Sequence, residues 1–162
     1  YSLFGLTLLF GVVQRFRSVH TYVFIDGITE ISKELKKLKF NNINKILTNW
    51  NDYVQVDGHS DYEKSFNDLL EEKIINNSSF NTLIVIGDAR NNYRPINIKT
   101  VHKLSKKFQN IYWMNPERSQ YWNTGDSQFH HYQSISKKYS EVRNFEQLKT
   151  FINSINFKKV IK

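Results

Sequence analysis

The sequence predicts an α/β fold with three layers, in which helices cover both faces of a mostly parallel β-sheet. Residues 82–87 and 110–114 are uninterrupted apolar runs of strand length, which is typical of strands covered on both faces. Residues 19–25 are rich in β-branched and aromatic side chains and predict a third strand. Helical stretches separate these runs, and such alternation indicates parallel strands joined by crossover helices.

The remaining elements follow from local patterns. Residues 3–13 form an apolar run that is too short for a membrane span, which needs about 20 residues, so we expect a buried helix at 2–16. Asp26-Gly27 is a turn signal that ends the strand at 19–25. The other predicted elements are a mostly helical region at 28–50, a loop or short strand at 54–58, helices at 61–76 and 96–108, a short strand at 139–143 and a closing helix that Asn144 caps.

The composition fits one domain. The chain has 162 residues and is 40% hydrophobic, which is enough for a sizeable core, and we assign residues 1–157 to the domain and 158–162 to a basic tail. It contains no cysteine, which excludes disulfides and thiolate metal sites and is compatible with a reducing compartment. We therefore expect a cytoplasmic protein.

The net charge is +8, and lysines supply most of the excess. They cluster at residues 33–39, 103–107, 137–138 and in the tail. Such a surface attracts nucleic acid or anionic lipid, which leaves a basic nucleic-acid-binding domain as one alternative hypothesis. No nucleic-acid-binding motif accompanies the charge, so solvated helix faces are the favoured interpretation.

Polar residues follow three of the predicted strands. Asp26, Asp88 and Asn115 each come directly after a strand, where ligands bind in open α/β sheets. A carboxylate there suits a hard cation such as Mg²⁺, although an aspartate in this place also serves as a turn residue. No glycine-rich dinucleotide motif follows any strand, so a nucleotide cofactor is not expected. Asp88 is the best placed candidate for a metal ligand.

Ser60 directly precedes the predicted helix at 61–76, and Glu63 lies three residues later. This spacing predicts a capping box, in which the serine hydroxyl bonds the first turn of the helix. The functional interpretation is that the Ser60 hydroxyl also faces a divalent cation. The spacing by itself favours the cap.

Two further groups have both a functional and a structural interpretation. His130-His131 is the only histidine pair, and no metal-ligand spacing accompanies it. A metal-dependent hydrolase that acts through Asp88 and one of these histidines is a second alternative hypothesis. Trp113 and Trp122 are either partner anchors or, more simply, a core residue and a side chain that pins a loop.

Five segments, taken together and in order, resemble the von Willebrand factor A (VWA) family, and specifically its CoxE-like branch. The most specific is IYWMNPERSQYWNTGDSQFHHY at 111–132, which is similar to the branch's tryptophan-leucine-asparagine-proline and glycine-aspartate-serine segments. The other four are YVFIDGITEIS at 22–32, DGHSDYEKSF at 57–66, IVIGDARNNY at 84–93 and VRNFEQLKTFI at 142–152. The resemblance implies the same Rossmann-like α/β layering.

The resemblance also implies a metal-ion-dependent adhesion site. VWA domains commonly build this site from a DxSxS segment after the first strand, a threonine in a second loop and an aspartate in a third. Ser60 takes the threonine position and Asp88 the aspartate position, so both are expected to bind Mg²⁺ or another divalent cation. The DxSxS segment and the first strand are expected just upstream of Tyr1, and the fragment is therefore expected to bind metal weakly or not at all.

On the same resemblance, the protein is expected to be a metal-assisted binding module and not an enzyme. CoxE-like proteins are associated with MoxR-type AAA+ ATPases in the maturation of metalloenzymes, notably molybdenum-containing carbon monoxide dehydrogenase. The expected partners are an ATPase of that type and a client metalloenzyme, without a membrane partner and without nucleic acid.

Overall fold

The computed structural model describes residues 5, 18–37, 59–76 and 82–155. The predicted helix at 2–16, apart from residue 5, and the predictions for 38–58 and for the tail lie outside these residues. In the described part, no helix is long and apolar enough to cross a membrane. The elements are, in chain order, β1 Tyr22–Phe24, β2 Ile28–Glu30, α1 Ser32–Lys37, α2 Tyr62–Glu71, α3 Lys73–Asn76, β3 Thr82–Ile86, α4 Ile98–Lys107, β4 Asn110–Asn115, a 3₁₀ turn Ser119–Tyr121, α5 Phe129–Gln133, β5 Lys138–Glu141 and α6 Phe145–Asn153.

A three-stranded parallel sheet, in the order β3–β4–β5, lies at the centre of the described fold. Val85 of β3 lies opposite Trp113 of β4, and Met114 lies opposite Ser140 of β5. Along the chain, α4 connects β3 to β4, and α5 connects β4 to β5, as parallel pairing requires. Both long apolar runs are therefore confirmed as parallel strands.

Helices cover both faces of this sheet. Successive side chains of β4 point to opposite faces, and those on each face belong to a separate core. Ile111 and Trp113 belong to the core that also contains residues of α2, α4 and α5, whereas Tyr112 and Met114 belong to the core that contains residues of α6. This confirms the three-layer α/β fold. The first core contains Tyr62, Phe66, Leu69, Ile75, Val85, Ala89, Val101, Leu104, Phe108, Ile111, Trp113, Phe129 and Tyr132, and the second contains Tyr112, Met114, Val142, Phe151 and Ile155.

β1 and β2 form an antiparallel hairpin, in which Val23 lies opposite Thr29. The strand predicted at 19–25 is confirmed in β1, but its parallel pairing is wrong, since within the described residues β1 pairs only with β2. The helix predicted from residue 28 begins only at α1. Ile28 and Thr29 are β-branched and therefore favour the extended hairpin over a helix at this point.

The capping box predicted for Ser60 and Glu63 is wrong, because α2 begins one residue later. Asp61 is the N-cap, and its Oδ1 accepts a hydrogen bond of 2.9 Å from the Lys64 backbone N–H. A carboxylate suits this position because it also interacts favourably with the positive end of the helix dipole. The Glu63 carboxylate instead accepts a hydrogen bond of 3.1 Å from the Asn97 backbone N–H, which ties α2 to the start of α4.

We predict that replacing Asp61 destabilises the fold and that replacing Ser60 does not. Asp61→Ala removes the cap acceptor and lowers the free energy of unfolding by about 1 kcal/mol, whereas Ser60→Ala changes it by less than about 0.5 kcal/mol. Asp61→Asn keeps an acceptor oxygen but loses the negative charge that pairs with Arg94, so it separates the cap from the ion pair. Urea denaturation measures all three, and an equal loss in Ser60→Ala would contradict this assignment of the cap.

Candidate functional site

The carboxyl ends of β3 and β4 form a polar edge of the sheet, and Asp88 follows β3 there. Its Oδ1 accepts hydrogen bonds from the Tyr62 hydroxyl, at 3.3 Å, and from the Arg90 backbone N–H, at 3.0 Å. The second bond is the local turn contact that an aspartate commonly makes. Asp88 Oδ2 has no hydrogen-bond partner in the part of the chain that the structure describes. Hydrogen bonds therefore fix only one oxygen of this half-buried carboxylate.

The Tyr62 hydroxyl holds this carboxylate from inside the core. It also accepts a hydrogen bond of 3.0 Å from the Ala89 backbone N–H, and Tyr62 is 3% exposed. Burial, and then the negative charge of Asp88, raise the pKa of Tyr62 well above its usual range, so the phenol stays protonated and remains a donor. A Cβ atom at Gly87 would lie 2.2 Å from the Tyr62 oxygen. This close approach requires glycine at position 87.

The segment that carries Ser60 lies against the segment that carries Asp88. The Asn92 side chain donates a hydrogen bond of 3.1 Å to the Ser60 carbonyl oxygen. The Tyr62 backbone N–H donates one of 2.8 Å to Asn91 Oδ1. The two predicted site loops therefore meet at one edge of the fold, and the Ser60 hydroxyl has no hydrogen-bond partner among the described residues.

The oxygens at this edge suit part of a divalent-cation site. Mg²⁺ prefers carboxylate, hydroxyl and water oxygens in octahedral geometry, and Asp88 Oδ2 and the Ser60 hydroxyl are ligands of that type. Over residues 18–37, 59–76 and 82–155, no three His, Cys, Asp or Glu side chains are grouped so that they could hold a metal ion. Among the described residues, Ser60 and Asp88 thus offer two oxygens of the type that Mg²⁺ binds, and their role as metal ligands stays a prediction.

Arg90 joins the loop after β3 to the loop after β4. Its Nε and Nη2 donate to the same oxygen of Glu117, at 3.2 and 2.6 Å, and its Nη1 donates to Asp126 Oδ1 at 2.8 Å. Asp126 Oδ2 accepts a further hydrogen bond of 3.0 Å from the Asn92 backbone N–H. We call Arg90, Glu117 and Asp126 the Arg90 clip, because one guanidinium holds the two loops together with charge-assisted hydrogen bonds.

Arg90 and Asp126 of the Arg90 clip are both ionised at neutral pH. Hydrogen bonds to Glu117 and then to Asp126 raise the pKa of Arg90 above its usual value. Burial by itself would raise the pKa of Asp126, but the hydrogen bonds from Arg90 and from Asn92 outweigh it, so this pKa lies below its usual range. A carboxyl pKa that folding lowers stabilises the fold above the unfolded-state value of about 4, and this contribution is lost as the pH falls further.

The loop after β3 holds several non-glycine residues in the left-handed region of φ. The φ angles are 60° at Ala89, 50° at Asn92 and 58° at Tyr93. Asparagine tolerates this conformation, but it is uncommon for a bulky side chain such as tyrosine. Asn91, which is fully buried, holds the loop through hydrogen bonds at both ends of its side-chain amide. Tyr93 is thereby presented to solvent with 81% of its surface exposed.

The other strand-end residues and the two tryptophans have structural roles. Asn115 is fully buried, and its Oδ1 accepts a hydrogen bond of 2.8 Å from the backbone of the loop after β4. The Asp26 carbonyl oxygen accepts a hydrogen bond from the Lys64 ammonium group. Trp113 is a core residue that is 1% exposed, and Trp122 Nε1 donates to a backbone carbonyl of its own loop at 3.0 Å. The structure therefore supports Trp113 as a core residue and Trp122 as a side chain that pins its loop, and not the interpretation of either as a partner anchor.

His130 and His131 lie side by side on α5, with ring centroids 3.9 Å apart. Burial, and then the charge of His130, lower the pKa of His131. In the described part of the chain, no hydrogen bond joins either ring to Asp88, and no third metal-ligating side chain is grouped with the pair. The arrangement gives the hydrolase hypothesis no support.

Three residues that shape this edge are not among the sequence candidates. Tyr62 belongs to the apolar stripe of its helix. Arg90 and Asn91 lie within the segment at 84–93 that resembles the family, but neither was singled out there as a site residue. The adjacent residues Asn91 and Asn92 were a usable signal, because asparagine is common in left-handed turns. The pairing of Arg90 with Glu117 has no local signal, since 27 positions separate the two residues.

A parallel sheet between two layers of helices, with a carboxylate at a strand end beside a hydroxyl-bearing loop, is the layout of an α/β domain of the VWA type. A sequence model of the family described as "VWA domain containing CoxE-like protein" matches residues 1–151, and the chain belongs to this family. VWA domains are generally interaction modules. Neither a search of curated proteins nor a search of solved structures finds a match.

We predict that substitutions at Gly87 and Tyr62 are coupled. Gly87→Ala forces a methyl group against the Tyr62 hydroxyl and lowers the free energy of unfolding by about 1–3 kcal/mol. Tyr62→Phe leaves the buried Ala89 N–H without its acceptor and also costs about 1–3 kcal/mol. The double variant loses less than the sum of the single variants, because the phenylalanine removes the atom with which the new methyl group collides. Urea denaturation of the four proteins measures the coupling, and strictly additive losses would contradict the close contact.

Proposed function

We propose that this protein is a cytoplasmic, metal-assisted protein-binding module. It acts as an adaptor for a MoxR-type AAA+ ATPase in the maturation of a metalloenzyme, such as molybdenum-containing carbon monoxide dehydrogenase. Membership of the CoxE-like family supports binding over catalysis. The observation that carries the proposal is the state of Asp88, whose Oδ1 is fixed by Tyr62 while Oδ2 has no partner among the described residues. Such a carboxylate is prepared to bind a ligand from outside the fold.

In this proposal, Ser60 and Asp88 contribute a hydroxyl and a carboxylate oxygen to a Mg²⁺ ion. Both belong to loops that contact each other through Asn92 and Tyr62, so they are presented at the same edge. Two protein oxygens are too few for a tight site, because Mg²⁺ gives up its water ligands reluctantly. Further ligands outside the described residues, and a carboxylate of the partner protein, would complete the coordination.

The surroundings of Asp88 also suit protein binding. Tyr93 lies in the same loop and is 81% exposed, and Tyr121 lies in the loop that the Arg90 clip holds and is 46% exposed. Aromatic side chains are frequent anchors in protein interfaces, because they bury a large area with few rotatable bonds. We propose that these two tyrosines contact the same partner whose carboxylate completes the metal site.

We predict that this chain by itself binds Mg²⁺ weakly, with a dissociation constant of about 1 mM or higher, because two protein oxygens leave the ion mostly hydrated. Isothermal titration calorimetry of Mg²⁺ into the chain measures this affinity. Asp88→Asn is the matched control, since it keeps the shape of the side chain but removes the charge. Micromolar binding that disappears in Asp88→Asn would show that these residues already form a nearly complete site.

We predict that a MoxR-type ATPase co-purifies with this protein in Mg²⁺ and is lost in a chelator. Asp88→Asn should weaken this capture at least about tenfold, because a neutral amide is a poor ligand for Mg²⁺. Glu71→Gln is the matched control: it also removes one negative charge, but it lies about 14 Å along α2 from the start of that helix. Capture that survives the chelator, or that both substitutions weaken equally, would refute the metal-assisted mode of binding.

A further inference from the structure

The solvent-facing side of α4 is strongly basic. Lys99, His102, Lys103 and Lys106 are all exposed, and the helix sequence IKTVHKLSKK contains neither aspartate nor glutamate. We call Lys99, Lys103 and Lys106 the lysine row. Their spacing of four and three positions places them on one face of the helix, about 6 Å and 4.5 Å apart along its axis.

The charge of the lysine row is not compensated within the described fold. Lys99, Lys103 and Lys106 have no hydrogen bond or ion pair through their ammonium groups to any described residue. The other two described helices of nine residues or more, α2 and α6, both mix acidic with basic residues. The basic face is therefore a particular property of α4 among the longer helices.

This arrangement is unfavourable for the helix itself. Like charges three or four positions apart repel each other on a helix surface. Lys103 is therefore repelled both by Lys99 and by Lys106. Lys99 also lies in the first turn, where the positive end of the helix dipole disfavours a cation. An anionic partner would relieve both effects, so binding would stabilise a helix that repulsion now weakens.

We propose that the lysine row is a docking surface for an acidic helix of a partner protein. Aspartate or glutamate residues spaced four and three positions apart on such a helix would face the three ammonium groups when the two helices lie side by side. The net charge of +8 would accelerate the encounter with an acidic surface.

The composition of α4 favours a protein over the other polyanions. The helix has no arginine, which is the side chain suited to paired hydrogen bonds with phosphate, and no Phe, Tyr or Trp on which a base could stack. Insertion into a membrane surface requires a free apolar face, but Val101 and Leu104 are buried in the core. Lysine is a compact point charge on a flexible stem, which matches separate carboxylates.

The lysine row also begins beside the polar edge. The N-cap of α4 is Asn97, and its backbone N–H is bound by Glu63 of α2. A cleft at this place is lined by Asp61, Glu63, Lys64, Asn67, Arg94 and Pro95. The start of α4 therefore lies against α2, next to this cleft. The lysine row itself needs no metal ion.

The test uses a fluorescent, alanine-based helical peptide of about 20 residues with glutamates in the matching pattern. It is titrated with the whole chain in a chelator, so that the result is independent of any metal-assisted binding. Lys99→Glu, Lys103→Glu and Lys106→Glu together should weaken binding at least about tenfold. Lys33→Glu, Lys36→Glu and Lys37→Glu on α1 change the net charge equally and should weaken it less than about threefold.

A second triple variant, with glutamine at the three α4 positions, keeps the test valid if charge reversal impairs folding. It should lose peptide binding and should melt at the same or a higher temperature, because the repulsion is removed. Equal losses in the α4 and α1 variants would overturn the proposal, since net charge alone would then explain binding. It would also be overturned if duplex DNA or phosphatidylserine vesicles, but not the peptide, lost binding with the α4 substitutions.

Discussion

The hydrogen bonds of the Tyr62 hydroxyl are the constraint on which the polar edge depends. The ring of Tyr62 extends from α2 into the core, where its centroid lies 5.0 Å from that of Phe24 in β1 and 6.0 Å from that of Trp113 in β4. Its oxygen reaches both the Asp88 carboxylate and the Ala89 backbone. One side chain thus fixes a helix, a hairpin and the parallel sheet relative to the carboxylate that follows β3.

This constraint explains how the loop after β3 keeps an unfavourable backbone. Left-handed residues persist where the surrounding contacts determine the backbone more strongly than local preference does. Here the Ala89 N–H is bound by a buried phenol, and Asn91 is bound on both sides of its amide. The left-handed residues Ala89, Asn92 and Tyr93 follow Asp88 closely, and strained backbone of this kind clusters at functional sites.

The sequence predicts those features that depend on local pattern. The strands β3 and β4 follow from apolar runs, and Asp88 follows from its position after one of them. The hairpin partner of β1 was missed because β2 has only three residues, and the helical pattern of α1 follows it closely. Serine and aspartate are both favourable N-cap residues, so the sequence cannot decide whether Ser60 or Asp61 caps the helix; the backbone geometry does. Arg90 was missed because its two partners lie 27 and 36 positions away and belong to another loop.

If the proposed binding role holds, the Arg90 clip determines what a partner meets at this edge. A long polar loop without such a contact would sample many conformations, and a partner would have to select one at an entropic cost. Because Glu117 and Asp126 are held by Arg90, the loop after β4 is ordered before any encounter. Surfaces of this kind change little on association, so differences in affinity among partners should appear mainly as differences in how long each complex lasts.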